Sequence, residues 1–265
     1  MILVMISFGL LIFAVIRDRT IAWNGIKLAA GAKDYDTVVA VGGDGTINEV
    51  LDGVMQSARS DIRMGVLYSG TSPDFCKFHN IPIRPSHAVN ALTAGSSRKV
   101  DVGRIAYSDK SGRKTTAHFG CGVNVGLGAS VARISNRLRK FTGDMIGTCI
   151  AVLCSVAVTR PVDLEIVVDG SPQRLSRVNN LSVLKNPFIA SGLRLNLDLQ
   201  AEDGNLVLFV VHGRTRMSVL SVLPGFYSGK AVDREDVVIK KCSQISIGSS
   251  RRTEIEFDGD PRGML

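Results

Sequence analysis

The spacing of apolar and polar positions changes repeatedly along this chain. Thr37-Val38-Val39-Ala40-Val41 is a run of β-branched and small apolar residues, the pattern of a strand buried on both faces. Gly42, Gly43 and Gly45 interrupt it, and apolar positions resume at helical spacing from Ile47 to Met55. The stretch therefore predicts strand, glycine turn, helix. Upstream, Ile21, Ile26, Leu28 and Ala29 mark a helix that Thr20 can cap and that ends near Gly31. Arg63 to Tyr68 predicts the next strand, which runs into the small-residue turn Ser69-Gly70-Thr71-Ser72-Pro73-Asp74. Ser72-Pro73-Asp74 also has the chemistry of an ordinary helix start, and Pro85 to Ala94 predicts a further helix.

Ser96-Ser97-Arg98-Lys99 is the expected domain boundary, dividing residues 1–98 from 99–265. Beyond it the chain is a series of short β-rich runs: 100–107, 116–125, 162–168, 177–184, 206–211, 237–239, 244–247 and 254–257. Asp109-Lys110-Ser111-Gly112 and Asp169-Gly170-Ser171-Pro172 have hairpin chemistry. One long helical stretch, about 131–158, interrupts the strands, and its apolar part, Met145 to Val158, is too short to span a bilayer and predicts a core-facing helix. The fold class is α/β: an N-terminal doubly wound α/β domain followed by a C-terminal β-sandwich domain.

Met1 to Ile16 carries no charged side chain and is followed by Arg17-Asp18-Arg19. A signal peptide lacks its basic start and small-residue cleavage site here, which leaves a short membrane anchor or a buried strand. A net charge of +8 and a pI near 9.4 favour polyanionic partners, either a nucleotide or an anionic membrane surface. Nucleic acid is not expected, because aromatics are only 6% and no zinc-ligand spacing is present. The five cysteines, 76, 121, 149, 154 and 242, are odd in number and form no CxxC pair, so reduced, buried thiols in a cytoplasmic protein are expected. The four histidines, 79, 87, 118 and 212, are isolated in the sequence.

Chemistry concentrates at the glycine turn. Glycines there let backbone approach a ligand closely, and the N–H groups of the turn and helix start favour phosphate oxygens. Asp44 is repulsive toward phosphate unless a cation or donor lies between them, so a metal–nucleotide site competes with a plain βα turn bearing a solvated carboxylate. A P-loop is excluded at Gly225 to Ala231, where the glycine spacing is one residue short and Ala follows Lys230.

Gly42-Gly43-Asp44-Gly45-Thr46-Ile47-Asn48-Glu49 closely resembles the nucleotide loop of the diacylglycerol kinase, sphingosine kinase and NAD kinase superfamily. Gly70-Thr71-Ser72-Pro73-Asp74-Phe75 is similar to that family's Gly-Thr-x-Asn-Asp-Phe motif, with Pro73 in place of Asn. The resemblance implies ATP bound by residues 42–49 with Thr20, Gly70, Thr71 and Asp74. No Asn-Pro-x-Ser-Gly-like phosphate loop precedes Thr20. Asp198 to Leu206 resembles the family's turn for a structural divalent cation, which implies Mg²⁺ on Asp203 and the carbonyls of Gln200 and Asn205. Asp258-Gly259-Asp260-Pro261 resembles the C-terminal Asp-Gly-Glu-Pro motif with Asp260 replacing Glu, and implies Asp258 as general base helped by Asp260, with Asp44 also catalytic. Many relatives carry Asp where Gly128 stands, and its loss argues against an amino-alcohol headgroup.

The expected function is an ATP-dependent kinase of a hydroxyl of diacylglycerol or a related lipid. It would work at the cytoplasmic face of the membrane as a peripheral protein, with the N-terminal run as an anchor on one of its readings. The alternatives are an NAD kinase and a catalytically silent nucleotide- or lipid-binding relative, which Pro73, Asp260 and the absent N-terminal loop motivate.

Overall fold

The computed structural model describes residues 2–7, 10–16, 24–32, 34–70, 72–109, 111–142, 144–189, 193–213, 215 and 235–265. Strands β1 (Ile2–Ser7) and β2 (Leu10–Ile16) pair antiparallel, followed by helix α1 (Asn24–Ala30). The Thr37–Val41 run becomes β3 (Thr37–Gly42), parallel to β2 and, on its other edge, to β4 (Arg63–Tyr68). The run read as a short anchor or a buried strand thus supplies two strands of a sheet ordered β1-β2-β3-β4. No helix among the described residues is long and apolar enough to cross a membrane.

Between β3 and β4 runs α2 (Asp44–Met55), and α3 (Asp74–Phe78) and α4 (Pro85–Thr93) follow β4. Alternation along β3 sends Val38 and Ala40 to one face, packed with Ala29, Ile47, Val50 and Leu51 of α1 and α2. Val39 and Val41 face the other way, with Leu67 and with Leu92 of α4. Both faces of the sheet are therefore covered by helices, as its apolar, non-alternating strands require.

The second sheet begins at Gly103. Its elements are β5 (Gly103–Asp109), β6 (Lys114–Phe119), β7 (Gly122–Gly126), α5 (Leu127–Thr142), α6 (Asp144–Val158), β8 (Val162–Val168) and β9 (Ser171–Leu184). A two-stranded pair, β10 (Phe188–Ile189) and β11 (Leu193–Arg194), lies apart. Then come β12 (Leu206–His212), β13 (Val237–Cys242), β14 (Ile245–Ser249), β15 (Glu254–Phe257) and β16 (Asp260–Met264). The order is β13-β12-β9-β7-β15-β16-β5-β6, with β8 on β9 and β14 on β8.

Strand β9 makes the sheet curl. Its first half pairs with β8, its second half with β7 and β12, and Arg177 at the changeover has a left-handed φ of 53°. The Asp163 carboxylate accepts the Arg177 N–H at 2.8 Å and holds the kink. Leu164, Ile166, Leu181, Val183, Leu208 and Phe257 close the space inside as one core. Each such side chain stabilises by about 1.5–3 kcal/mol when fully buried.

Four expectations change, the first being that Cys149 and Cys154 are exposed where buried thiols were expected. The 116–125 run is two strands, because the backbone at Gly120 and Cys121 leaves the ladder and, with the N–H of Gly122, binds a side chain described below. The 131–158 stretch is two helices, α5 and α6. The apolar part does not face the core: Gly147, Ala151 and Ser155 are buried, whereas Ile146, Ile150 and Leu153 are exposed.

Candidate active site

The two glycine turns meet. A Cβ on Gly70 would lie 2.6 Å from the Cα of Gly43, and one on Gly42 would lie 2.4 Å from Oγ1 of Thr46. Only glycines allow the ends of β3 and β4 to touch in this way, and the Ser69 N–H donates to the Gly42 carbonyl at 2.9 Å across the contact. The helix α2 begins immediately at Asp44, and among the described residues no side chain caps it. Its first N–H groups and dipole end are therefore open to an anion at the carboxyl end of a parallel sheet.

The motif residues divide into two sets. Gly42, Gly43, Asp44 and Gly45 form the turn and helix start, with Gly70 against them. Thr46, Ile47, Asn48 and Glu49 are all buried. Ile47 belongs to the core, and the Glu49 carboxylate accepts the Gly25 N–H of α1 at 3.3 Å, away from the turn. Asp74 is buried at the start of α3, where Ser72 donates to its carboxylate and Asn186 donates to its carbonyl. Thr20 and Thr71 lie outside the described residues, as does Gly225 to Ala231.

Asn48 connects the two halves of the molecule. It sits one helical turn into α2, and its amide donates to the Asp258 carboxylate at 2.8 Å and to the His118 carbonyl at 3.0 Å. Its oxygen accepts from Arg262. The N–H groups of Gly120, Cys121 and Gly122 donate to Asp258 at 2.6, 2.8 and 2.9 Å. Asp258 and Gly259 have φ of 49° and 89° between the paired residues Phe257 and Asp260, which makes a two-residue hairpin of the I′ kind. That geometry aims the Asp258 side chain inward, toward the break between β6 and β7.

Burial pushes the Asp258 carboxyl above its ordinary value, while the three backbone N–H groups and Asn48 pull it down. All four donors favour the ionised form, and protonation strands one of them. Two residues earlier, Glu256 is 2% exposed and accepts from Asn124 at 2.6 Å and from the Gly259 N–H. Burial, reinforced by Asp258 and Asp260, pushes its carboxyl up to about 8 against these two donors. Oδ2 of Asp260 is buried with no hydrogen-bond partner among the described residues. The thiol of Cys121 is raised well above its ordinary value by burial, then by the charges of Asp258, Asp44 and Asp74.

His118, isolated in the sequence, meets Asp52 in space. Its Nδ1 lies 2.9 Å from the Asp52 carboxylate, which also accepts the His118 backbone N–H. A cleft beside this pair, between α2 and strands β5, β6 and β16, is lined by Gln56, Tyr107, Thr116 and Arg262. The guanidinium of Arg262 lies 4.6 Å over the ring of Phe257. Sequence reasoning missed Arg262, Glu256 and Asp52. Of these only Glu256 left a signal, a carboxylate at strand period from Asp258 in a run with a buried face.

The expected metal ligands do converge, but on a side chain. Lys185 is 1% exposed, and its ammonium donates to the Gln200 carbonyl at 3.1 Å, the Asp203 carboxylate at 3.0 Å and the Asn205 carbonyl at 3.1 Å. Asp101 supplies a fourth oxygen at 2.9 Å. The positive charge predicted as Mg²⁺ is a lysine, and a divalent ion does not fit where the ammonium stands. Burial opposes ionisation of Asp203, but Lys185 and the Asn205 and Gln200 N–H groups prevail and hold it down at about 2. The Lys185 N–H donates to the Cys121 carbonyl at 2.9 Å, so this cage borders the Asp258 junction. No three His, Cys, Asp or Glu side chains group to hold a metal among the described residues.

A glycine-lined turn on an α/β sheet, joined by an asparagine to a buried aspartate of a curled β domain, makes a two-part architecture suited to phosphoryl transfer. Residues 16–105 match the diacylglycerol kinase catalytic domain, and residues 121–265 match the YegS C-terminal NAD kinase beta sandwich-like domain. The second match spans more than half of the chain, and the chain belongs to this diacylglycerol kinase-like family. It is 24% identical over 237 residues to a diacylglycerol kinase of Staphylococcus haemolyticus, covering 88% of this chain and 67% of the relative. A diacylglycerol kinase of Mycobacterium tuberculosis is 26% identical over 220 residues, covering 83% and 69%. The crystal structure of a diacylglycerol kinase from Bacillus anthracis superposes with a TM-score of 0.61 at 18% identity, over 92% of this chain and 76% of that one. This last likeness shows the fold.

Proposed function

We propose that the chain is an ATP-dependent lipid kinase acting on a hydroxyl of diacylglycerol or a related lipid, with residues 1–98 holding the nucleotide and 99–265 presenting the lipid. The observation that carries this reading is the hydrogen bond from Asn48, in the helix of the glycine turn, to Asp258. It puts a buried carboxylate of the second domain within one helical turn of the open helix start of the first.

When bound, ATP would supply the transferable γ-phosphoryl group, with ADP as the leaving group. The N–H groups at Gly43 to Gly45 hold phosphate oxygens, and Gly42 and Gly70 keep side chains out of their way. We assign Asp44 to the divalent cation that accompanies a triphosphate, because its carboxylate is repulsive there without one. Asp258 takes the hydroxyl proton as the oxygen–phosphorus bond forms. Among the described residues Asn48 is its one side-chain donor, and the acceptor hydroxyl enters by replacing that amide. Asp260 brings the open oxygen of its carboxylate beside the same turn. Work at the cytoplasmic membrane surface follows from the lipid acceptor and the positive charge of the chain.

The test is transfer of label from γ-labelled ATP with Mg²⁺ to diacylglycerol in mixed micelles, with NAD as the competing acceptor. Labelled phosphatidic acid is expected. Label on NAD, or ATP binding with no transfer to any hydroxyl lipid, overturns the proposal.

A further inference from the structure

Helix α6 is built inside out. Its face toward the protein consists of Gly147, Ala151, Ser155 and Val156, and its other face of Ile146, Cys149, Ile150, Leu153, Cys154, Ala157 and Val158, all exposed. Ile146, Leu153 and Val158 are 61%, 59% and 61% exposed. The outward positions recur at intervals of three and four over the whole helix, which is one continuous stripe on a 3.6-residue period. Small residues on the inner face let α6 lie against α5, where Ser135 and Thr148 meet at 3.3 Å. A stripe of this size on a folded protein marks an interaction surface.

The surroundings of the stripe select its occupant. Between Asp144, the first residue of α6, and Asp163 of β8 there is no acidic side chain. Arg160, just past the end of α6, is exposed, and Arg251 donates to its carbonyl and to that of Pro161 at 3.1 Å. Exposed Arg252 adjoins them, and Arg137 is exposed on α5. A second copy packed on this face brings like charges together, whereas anionic headgroups attract them. Fifteen residues extend about 22 Å, short of the hydrocarbon thickness, so a helix of this length on a bilayer lies along its plane and not across it.

We infer that the outer face of α6 docks on an anionic lipid bilayer, its apolar stripe sunk among the acyl chains and its arginines at the headgroups. This deepens the lipid-kinase reading and rests on it for its purpose. Helix α5, between α6 and β15–β16, donates from Asn136 to the Gly259 carbonyl at 2.7 Å and from Arg133 to Glu254 at 3.0 Å. A docked α6 therefore holds the Asp258 turn one helix away from the membrane that carries the acceptor.

The experiment is co-sedimentation of the full chain, without ATP, with vesicles of phosphatidylcholine alone or of equimolar phosphatidylcholine and phosphatidylglycerol. Wild-type protein is expected on the anionic vesicles and to remain partly bound at high salt, which screens the arginines but not apolar insertion. The double substitution Ile150→Asp with Leu153→Asp should weaken partitioning at least about tenfold. Leu153→Trp, at an exposed site, gives a reporter whose emission should shift to the blue when anionic vesicles are added. No shift and no sedimentation of wild type overturns the proposal. So does a wild-type dimer that the double substitution makes monomeric, since the stripe is then covered by a second copy. Vesicle binding by a protein that phosphorylates no lipid upholds the surface and removes only the kinase reading.

Discussion

Asp169-Gly170 and Asp258-Gly259 are the same dipeptide in the same turn. Each joins two antiparallel strands across a two-residue loop, with φ of 47° and 82° in the first and 49° and 89° in the second. Each aspartate grips a neighbouring connection. Asp169 accepts from the N–H groups of Ser243 and Gln244, and Asp258 from those of Gly120, Cys121 and Gly122. The carboxyls nevertheless move in opposite directions. Hydrogen bonds from Gln244 and Ser243 lower exposed Asp169, whereas burial raises Asp258. The local device is shared, and its surroundings make one a surface clasp and the other a candidate reactive group. A third pair, Asp203-Gly204, has its carboxylate committed to a buried lysine.

The largest effect expected is at the buried turn. Asp258→Asn keeps the left-handed backbone, which Asn tolerates, but sets an NH₂ against two N–H donors. Turnover should fall about 10²–10⁴-fold, and the fold should lose about 2–5 kcal/mol in denaturant unfolding. Asp169→Asn should leave turnover unaltered. Equal turnover losses at the two turns would show that the hairpin matters and the chemistry at Asp258 does not.

At the third pair, Lys185→Met leaves Asp101 and Asp203 facing each other without their cation and should cost about 3–5 kcal/mol. EDTA should leave the thermal transition of the wild type in place, and a transition that falls on chelation would mean that a metal displaces the lysine. The Asp203 carboxyl is depressed, so the stability it contributes is present above the unfolded pKa of 3.8 and is lost as pH falls toward about 2. A titration of stability that is flat there would contradict the ion pair.

Glu256 distinguishes the two hairpins further, because Val167 occupies the corresponding place before Asp169. Its raised carboxyl binds a proton more tightly in the folded state, so stability should fall as pH rises from about 4.5 to about 8. Glu256→Gln should flatten that slope, and a slope left intact would assign it to another group. The smallest effects are the matched pair Gly170→Ala and Gly259→Ala. Both sites have open space for a Cβ, so each should cost only the left-handed strain, about 1–2 kcal/mol. A larger cost at Gly259 alone would show that the buried turn also needs its glycine for close approach.

The strand–turn–helix at 37–55 was legible because buried parallel strands, glycine breaks and helical spacing are local patterns, and the structure reproduces it as β3 and α2. The Asp169 hairpin was legible for the same reason. Other features had no local signature. The 116–125 run carries strand propensity throughout, and it breaks at Gly120 only because an aspartate 138 residues away takes its N–H. The Met145–Val158 helix reads as apolar whichever way it faces, and packing against α5 decided that its small residues turn inward.

By itself, the sequence determined the periods, the turn chemistry, the positive charge and the short motifs, all set by neighbours along the chain. Only tertiary structure decided that Lys185 fills the oxygen cage at Gln200, Asp203 and Asn205, that Asn48 reaches Asp258, and that the exposed side of α6 is its apolar side. Residues separated by 15 to 210 positions meet in the first two cases. Charge compensation, burial and packing act through space, and no local pattern of residues records which distant partner will supply them.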